Sequence, residues 1–221
     1  MCLILMGMGV KTRILQKAHD LYMRYGIRSV TMDEIALQTG VSKKTIYQFF
    51  EDKDALVEAI VLEKIKFAQQ CCNSDMETAD NAIEEMFRTM QMMEEMFRNM
   101  NPAVMFDLQK HHPAAFTKFE KHKSEYVYNV IRENLKRGIL EDLYRSDLNI
   151  DIISLYRVES MMLLFNPSFQ FKGKYNLADV EKEVILHYLF GIASPKGYKL
   201  ILKYQKDTKK KTNTNEKNKT K

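Results

Sequence analysis

The sequence predicts an all-α fold. Two observations carry that expectation. Gly and Pro number only 8 and 4 among 221 residues, too few for a sandwich or barrel that turns about every dozen residues. Apolar residues instead recur at three- and four-residue steps, the period of a helix with one buried face. Hydrophobic residues make up 45% and charged residues 29%, as in ordinary soluble globular chains. A chain this long buries a core without disulfide or metal staples. No apolar run reaches about 18 residues, so no transmembrane helix and no membrane partner are expected. Cys2, Cys71 and Cys72 are odd in number and two are adjacent. That is neither a disulfide framework nor a zinc spacing, and it agrees with a reducing, cytoplasmic setting.

Residues 1–10 are apolar but lack the basic start and cleavage pattern of a signal peptide, and are expected to be a flexible leader. The first helix is predicted over 11–25, with Ile14, Leu15, Ala18, Leu21, Tyr22 and Tyr25 on its stripe and Gly26 ending it. Thr31 and Glu34 have the spacing of a capping box and open a second, short helix that Gly40 stops. Ser42 is a suitable cap for a third, with Val41 before it. Ile46 and Phe50, four apart, can turn inward while Lys43, Lys44, Thr45, Tyr47 and Gln48 face out. Two short helices about a glycine turn, the second opening with basic and hydroxyl side chains, are the layout of a DNA-binding helix-turn-helix. A three-helix packing with a merely solvated lysine pair would show the same pattern.

Residues 12–56 resemble the DNA-binding region of the TetR family of transcriptional regulators. The string that carries the likeness is Ile14-Leu15, Ala18, Leu21-Tyr22, Gly26, Thr31, Ile35-Ala36, Gly40-Val41-Ser42, Thr45-Ile46-Tyr47, Phe50, Lys53 and Ala55-Leu56. Phe49, Lys44 and Tyr22 depart from the family's usual residues. The resemblance implies that Ser42 to Phe49 is the recognition helix and that the partner is double-stranded DNA. Lys43, Lys44, Thr45 and Gln48 would lie along the major groove, where lysine donates to guanine and a threonine methyl meets thymine. Tyr47, Thr31 and Lys53 would meet backbone phosphates, which fix position and not sequence.

From about residue 54 a long helix is predicted to run to Cys71–Cys72. A methionine-rich stretch follows, in which Glu84–Met90 is echoed by Glu94–Met100 after ten residues. Ten steps at about 100° fall short of three turns, so the echo itself makes no stripe. Met86, Met90, Met93, Phe97 and Met100 do make one. Such a stripe fills a core or lines an apolar pocket, since methionine adapts to varied shapes. In the resembled family the middle helices enclose an inducer, which implies a small apolar ligand. Phe87, Met90, Met93, Phe97, Met100, Met105 and Phe106 would line its site, with Tyr126 and Tyr128 adding polar contacts. His111-His112-Pro113 and His122 have poor chelating spacing, so no metal is expected, and no motif calls for another cofactor.

A helix is predicted over 114–137 with Gly138 breaking it. Two more follow, one carrying Ile152, Leu155, Tyr156, Met162 and Leu163. The other opens at Asn176 and Asp179 and carries Leu177, Val180, Val184, Tyr188 and Ile192. The resemblance implies that these two pair with their copies in a homodimer suited to a palindromic operator; alternatively they face the monomer's own core. From Lys206 no apolar residue occurs, and 206–221 is expected to be a disordered basic tail. The expected organisation is thus a helix-turn-helix domain at 11–54, then a larger helical ligand-binding and dimerisation domain at 55–205. The net charge of +5 divides accordingly: residues 1–50 hold 7 basic and 3 acidic side chains, residues 203–221 hold 8 and 2, and the body between them is acidic. Polyanion contact belongs at the two ends. No nucleophile motif or phosphate loop points to an enzyme.

Overall fold

The computed structural model describes residues 9–166 and 175–219, with 209–219 given by their backbone only. Most of the expected leader lies outside the described residues, and α1 begins at Val10. Helices α1 (Val10–Tyr25), α2 (Met32–Thr39) and α3 (Lys43–Tyr47) form the head. α1 ends at Gly26 and α2 at Gly40, both with positive φ (84° and 67°), a conformation that side-chain-bearing residues resist. Each following helix is opened by an oxygen that the sequence places: Thr31 accepts from the Glu34 N–H, Ser42 from Thr45, and Asp52 from Ala55.

α4 (Lys53–Thr78) runs beyond the predicted end at Cys71–Cys72. The body then continues through α5 (Ala82–Phe97), α6 (Ala103–His111) and α7 (Pro113–Lys121). A π-helical stretch, His122–Val127, joins α7 directly to α8 (Tyr128–Leu140). α9 (Ile150–Ser160) tightens into a 3-10 turn at Met161–Phe165. α10 (Leu177–Ile192) and α11 (Pro195–Lys219) complete the described chain, and Asn176 caps α10 as its position predicts.

Two expectations need correction here. Gly138 does not break α8, which continues to Leu140. A Cβ at this position would lie 2.0 Å from the Tyr144 ring, so the glycine serves close approach and not termination. Of the segment from Lys206, expected to be disordered, the described residues continue the helix of α11 to Lys219. Buried Ile201 and half-buried Tyr204 dock the first part of α11, and extending a helix already nucleated costs little per residue.

The packing does not part at residue 54. Ile14, Ala18, Ile35, Ile46 and Phe50 share one buried core with Leu56 and Ile60 of α4 and with Val104, Met105 and Leu108 of α6. Polar ties cross the same seam. The Asn101 N–H donates to the Met23 carbonyl (2.7 Å), the Arg28 N–H donates to Asp107 (2.9 Å), and His112 bonds to Asp54 of α4. A second core joins α5, α8, α10 and Ile201 of α11, and a small third one holds Phe97, Leu164 and Ala178.

Candidate nucleic-acid interface

The face built by α2 and α3 follows from which residues the core claims. Ile46 and Phe50 are buried, and Val41 packs partly against the same core. One turn of helix then forces their neighbours outward: Lys43, Lys44 and Gln48 are exposed, Thr45 is half-buried, and Tyr47 and Phe49 are 44% and 41% exposed. Ser42 and Thr45 place their hydroxyl oxygens 2.8 Å apart at the start of α3. One hydroxyl donates to the other, which leaves a hydrogen of the pair for an outside acceptor. Thr31 is exposed at the start of α2. Its oxygen accepts from the Glu34 N–H at 3.2 Å, and its own hydrogen remains to be donated.

Two lysines behave differently from the expectation. Lys43 Nζ donates to Asp33 on α2 at 2.8 Å, and that bond holds its ammonium above the ordinary lysine range. Both partners are well exposed, so a phosphate or base can replace the carboxylate at small cost. Lys53 is a correction. Its ammonium donates to the carbonyls of Ile27 and Val30, both at 2.6 Å, and lies over the Tyr22 ring. Partial burial pulls its pKa down, opposed by the carboxylates of Asp107 and Asp54. Lys53 therefore clamps the turn between α1 and α2 from within and does not reach out towards phosphate. Asp33, the partner of Lys43, had no signal in the sequence beyond its place in the first turn of α2.

Most of the expected ligand-lining residues are divided among three apolar clusters. Phe87 and Met90 lie in the second core, with Phe87 against the Tyr204 ring (5.3 Å). Phe97, with Met93 and Met100 beside it, lies in the third core, where Phe97 meets Phe165 edge-on. Met105 belongs to the head's core, and Phe106 is exposed under Lys110. Tyr126 donates to Asn73 of α4 at 2.7 Å, and Tyr128 reaches Asp151 of α9. The period of a stripe places residues on one helix face but not on one side of a cavity, because a helix of this length crosses several neighbours.

The other predicted groups are likewise placed. His112 is buried and bonded to Asp54, and His122 stacks on Tyr126. The role of His112 had a signal in the sequence: Pro113 at a helix start makes the residue before it a junction. On α9, Ile152, Leu155 and Tyr156 form an exposed apolar stripe, whereas Tyr188 and Ile192 of α10 face the monomer's own core. No helix among the described residues is long and apolar enough to cross a membrane.

Comparison with known proteins accords with this geometry. The profile of the bacterial regulatory proteins, tetR family, matches residues 14–60. A helix-turn-helix transcriptional regulator of Bacillus subtilis strain 168, YvaF, is 23% identical over 177 residues, covering 78% of this chain and 90% of its own length. Two solved structures share the fold across head and body. The ketosteroid transcriptional regulator KstR2 of Mycobacterium tuberculosis superposes with a TM-score of 0.60 at 17% identity, covering 84% of this chain and 96% of its own. The transcriptional regulator FadR of Bacillus subtilis, solved with stearoyl-CoA, gives 0.61 at 18%, covering 82% and 98%. The head that exposes Lys43 to Gln48 thus falls within the match to the bacterial tetR family of regulatory proteins, and the helical body behind it shares its fold with solved transcriptional regulators.

Proposed function

We propose that the chain is a repressor that binds a palindromic operator as a homodimer and is released by a small apolar ligand. The observation that carries the DNA reading is the division of α3: Ile46 buried, with Lys43, Lys44, Tyr47 and Gln48 exposed beside the Ser42–Thr45 hydroxyl pair. Lys43, Lys44, Thr45 and Gln48 meet base edges, and Thr31, Ser42 and Tyr47 meet phosphates. The stripe of Ile152, Leu155 and Tyr156 on α9, with Ile152 63% exposed, supports a second copy of the chain as its cover. A two-fold dimer places two α3 helices on one face of the duplex, about 34–36 Å apart or a multiple of it.

The ligand reading is supported by the methionine-rich α5 and by the likeness to a ketosteroid regulator and to a regulator solved with an acyl-CoA. The ligand acts by preferring a dimer whose α3 helices no longer match both half-sites; without that preference it shifts nothing. α4 and α6 transmit the change, since both are packed into the head's core. The chain is read as a non-enzymatic regulator working in the cytoplasm.

Selection of bound duplexes from a random pool tests the DNA reading. The expected result is an inverted repeat bound by a dimer; absence of an enriched motif refutes it. One observation favours a second reading of the body, in which it docks a protein partner and holds no inducer: the residues expected to line one pocket are divided among three cores. A thermal-shift screen with apolar compounds separates the two, because only an inducer-binding body is stabilised.

A further inference from the structure

Arg157 on α9 and Glu181 on α10 form an ion pair of almost complete burial, with side chains 3% and 2% exposed. Arg157 Nη2 donates to Glu181 Oε1 at 2.7 Å. The guanidinium also donates to Ser160 Oγ at 3.2 Å and lies over the Tyr188 ring. Glu181 Oε2 is buried and has no hydrogen-bond partner among the described residues. An unmet lone pair on a buried charged acceptor is costly, so this place calls for a donor.

The surroundings indicate what kind of molecule could bring one. Glu181 stands one turn after Ala178, which belongs to the apolar cluster of Phe97 and Leu164. It stands one turn before Ile185, which belongs with Met86 and Met90. The polar pair therefore sits where two apolar clusters meet, alongside the methionine stripe of α5. Methionine side chains can rearrange around an entering molecule. Charge narrows the choice. Arg157 already balances Glu181, so an entering ammonium or carboxylate would leave a net charge in a low-dielectric interior. A neutral O–H or N–H meets the lone pair and adds no charge.

We propose that Glu181 is the polar anchor of the ligand site: its Oε2 accepts a hydrogen bond from a neutral hydroxyl or amide N–H on an apolar molecule. The acid and the amine of the same skeleton are excluded. This assignment rests on the reading that the body binds an apolar ligand.

The test uses the full chain and four probes built on one decyl skeleton: 1-decanol, its methyl ether, decanoate and decylamine, each followed by calorimetry. Decanol is expected to bind roughly tenfold tighter than the ether, which has no donor, and tighter than either ion. The double variant Arg157→Met/Glu181→Met removes both charges together, a change that buried pairs commonly tolerate; in it the alcohol and ether should bind alike. Glu181→Gln leaves Arg157 unbalanced and should shift the preference to decanoate. Equal binding of alcohol and ether by the wild type overturns the anchor, as does an alcohol preference that survives in the double variant. If only an ion binds, the ligand reading stands and the anchor falls. If none of the four binds, both fall.

Discussion

Tyr47 is exposed on a helix whose next inward residues, Ile46 and Phe50, are wholly claimed by the core. The side chain is 44% exposed and the change to Phe keeps the ring, so its hydroxyl can be removed without disturbing the head. Tyr47→Phe should weaken binding to every duplex by a similar factor, about five- to tenfold for the removal of one hydrogen bond. Anisotropy titrations on the selected operator and on scrambled duplexes check this. A variant that reorders sequence preference would place Tyr47 on a base instead. Gly138 is the opposite kind of residue, with its importance wholly internal. Tyr144 is buried against it, with its hydroxyl 3.0 Å from Asn134 Oδ1. Gly138→Ala gains up to about 1 kcal/mol of helix propensity. It also forces the ring aside, at roughly 1–3 kcal/mol or more. Net destabilisation should appear as a lower urea midpoint with an unchanged slope. A gain in stability would mean that the ring yields freely.

At the scale of elements, what was legible in the sequence is what short-range chemistry decides. Thr31, Ser42 and Asn176 announce their helices because a cap needs only the next three residues, and Gly26 and Gly40 announce ends because positive φ is a local demand. The exposed side of α3 could be read for the same reason: five residues of helix have only two faces. What could not be read depends on contacts between distant residues. A glycine near the end of an apolar run can mean a helix end or a close approach, and only Tyr144 decides for Gly138. A lysine at a helix start can face solvent or fold back, and the carbonyls of Ile27 and Val30 decide for Lys53. The tail is a case of context overriding composition, since α11 is held by Tyr204 against Phe87 and by Ile201 in the second core. Deleting 206–221 removes neither anchor. Melting temperature and dimer mass should stay unchanged. If the lysines touch DNA, the salt dependence of affinity should flatten, its log–log slope falling by roughly 0.9 for each phosphate no longer neutralised. Loss of the dimer on deletion would give this segment a structural role.

At the scale of the whole molecule, the α9 stripe and the buried tyrosines make two further predictions. Leu155→Asp places a charge on an exposed apolar face that the monomer's core does not use. Sedimentation should show a folded monomer, and operator affinity should fall at least about a hundredfold as the second half-site is given up. A dimer that survives the change would move the interface elsewhere. Burial raises the pKa of the phenols of Tyr22, Tyr144 and Tyr188, with the Asp54 carboxylate adding to the effect at Tyr22. Unfolded tyrosine ionises near pH 10. The stability these groups contribute is therefore complete below about pH 10 and is lost as the pH climbs beyond it. Phenolate absorbance should show these three ionising only as the helical signal collapses. All eleven tyrosines titrating together in a still-folded chain would contradict that burial.

The shared core of head and α6 also bears on protein engineering. Regulators of this build invite grafting, in which a new operator specificity is installed by exchanging the first fifty or so residues. Here that cut would divide a single core, setting Val104, Met105 and Leu108 against a foreign surface and putting at risk the bond from the Arg28 N–H to Asp107. A working chimera should instead exchange only the outward residues of α2 and α3, leaving every side chain that α6 touches as it is.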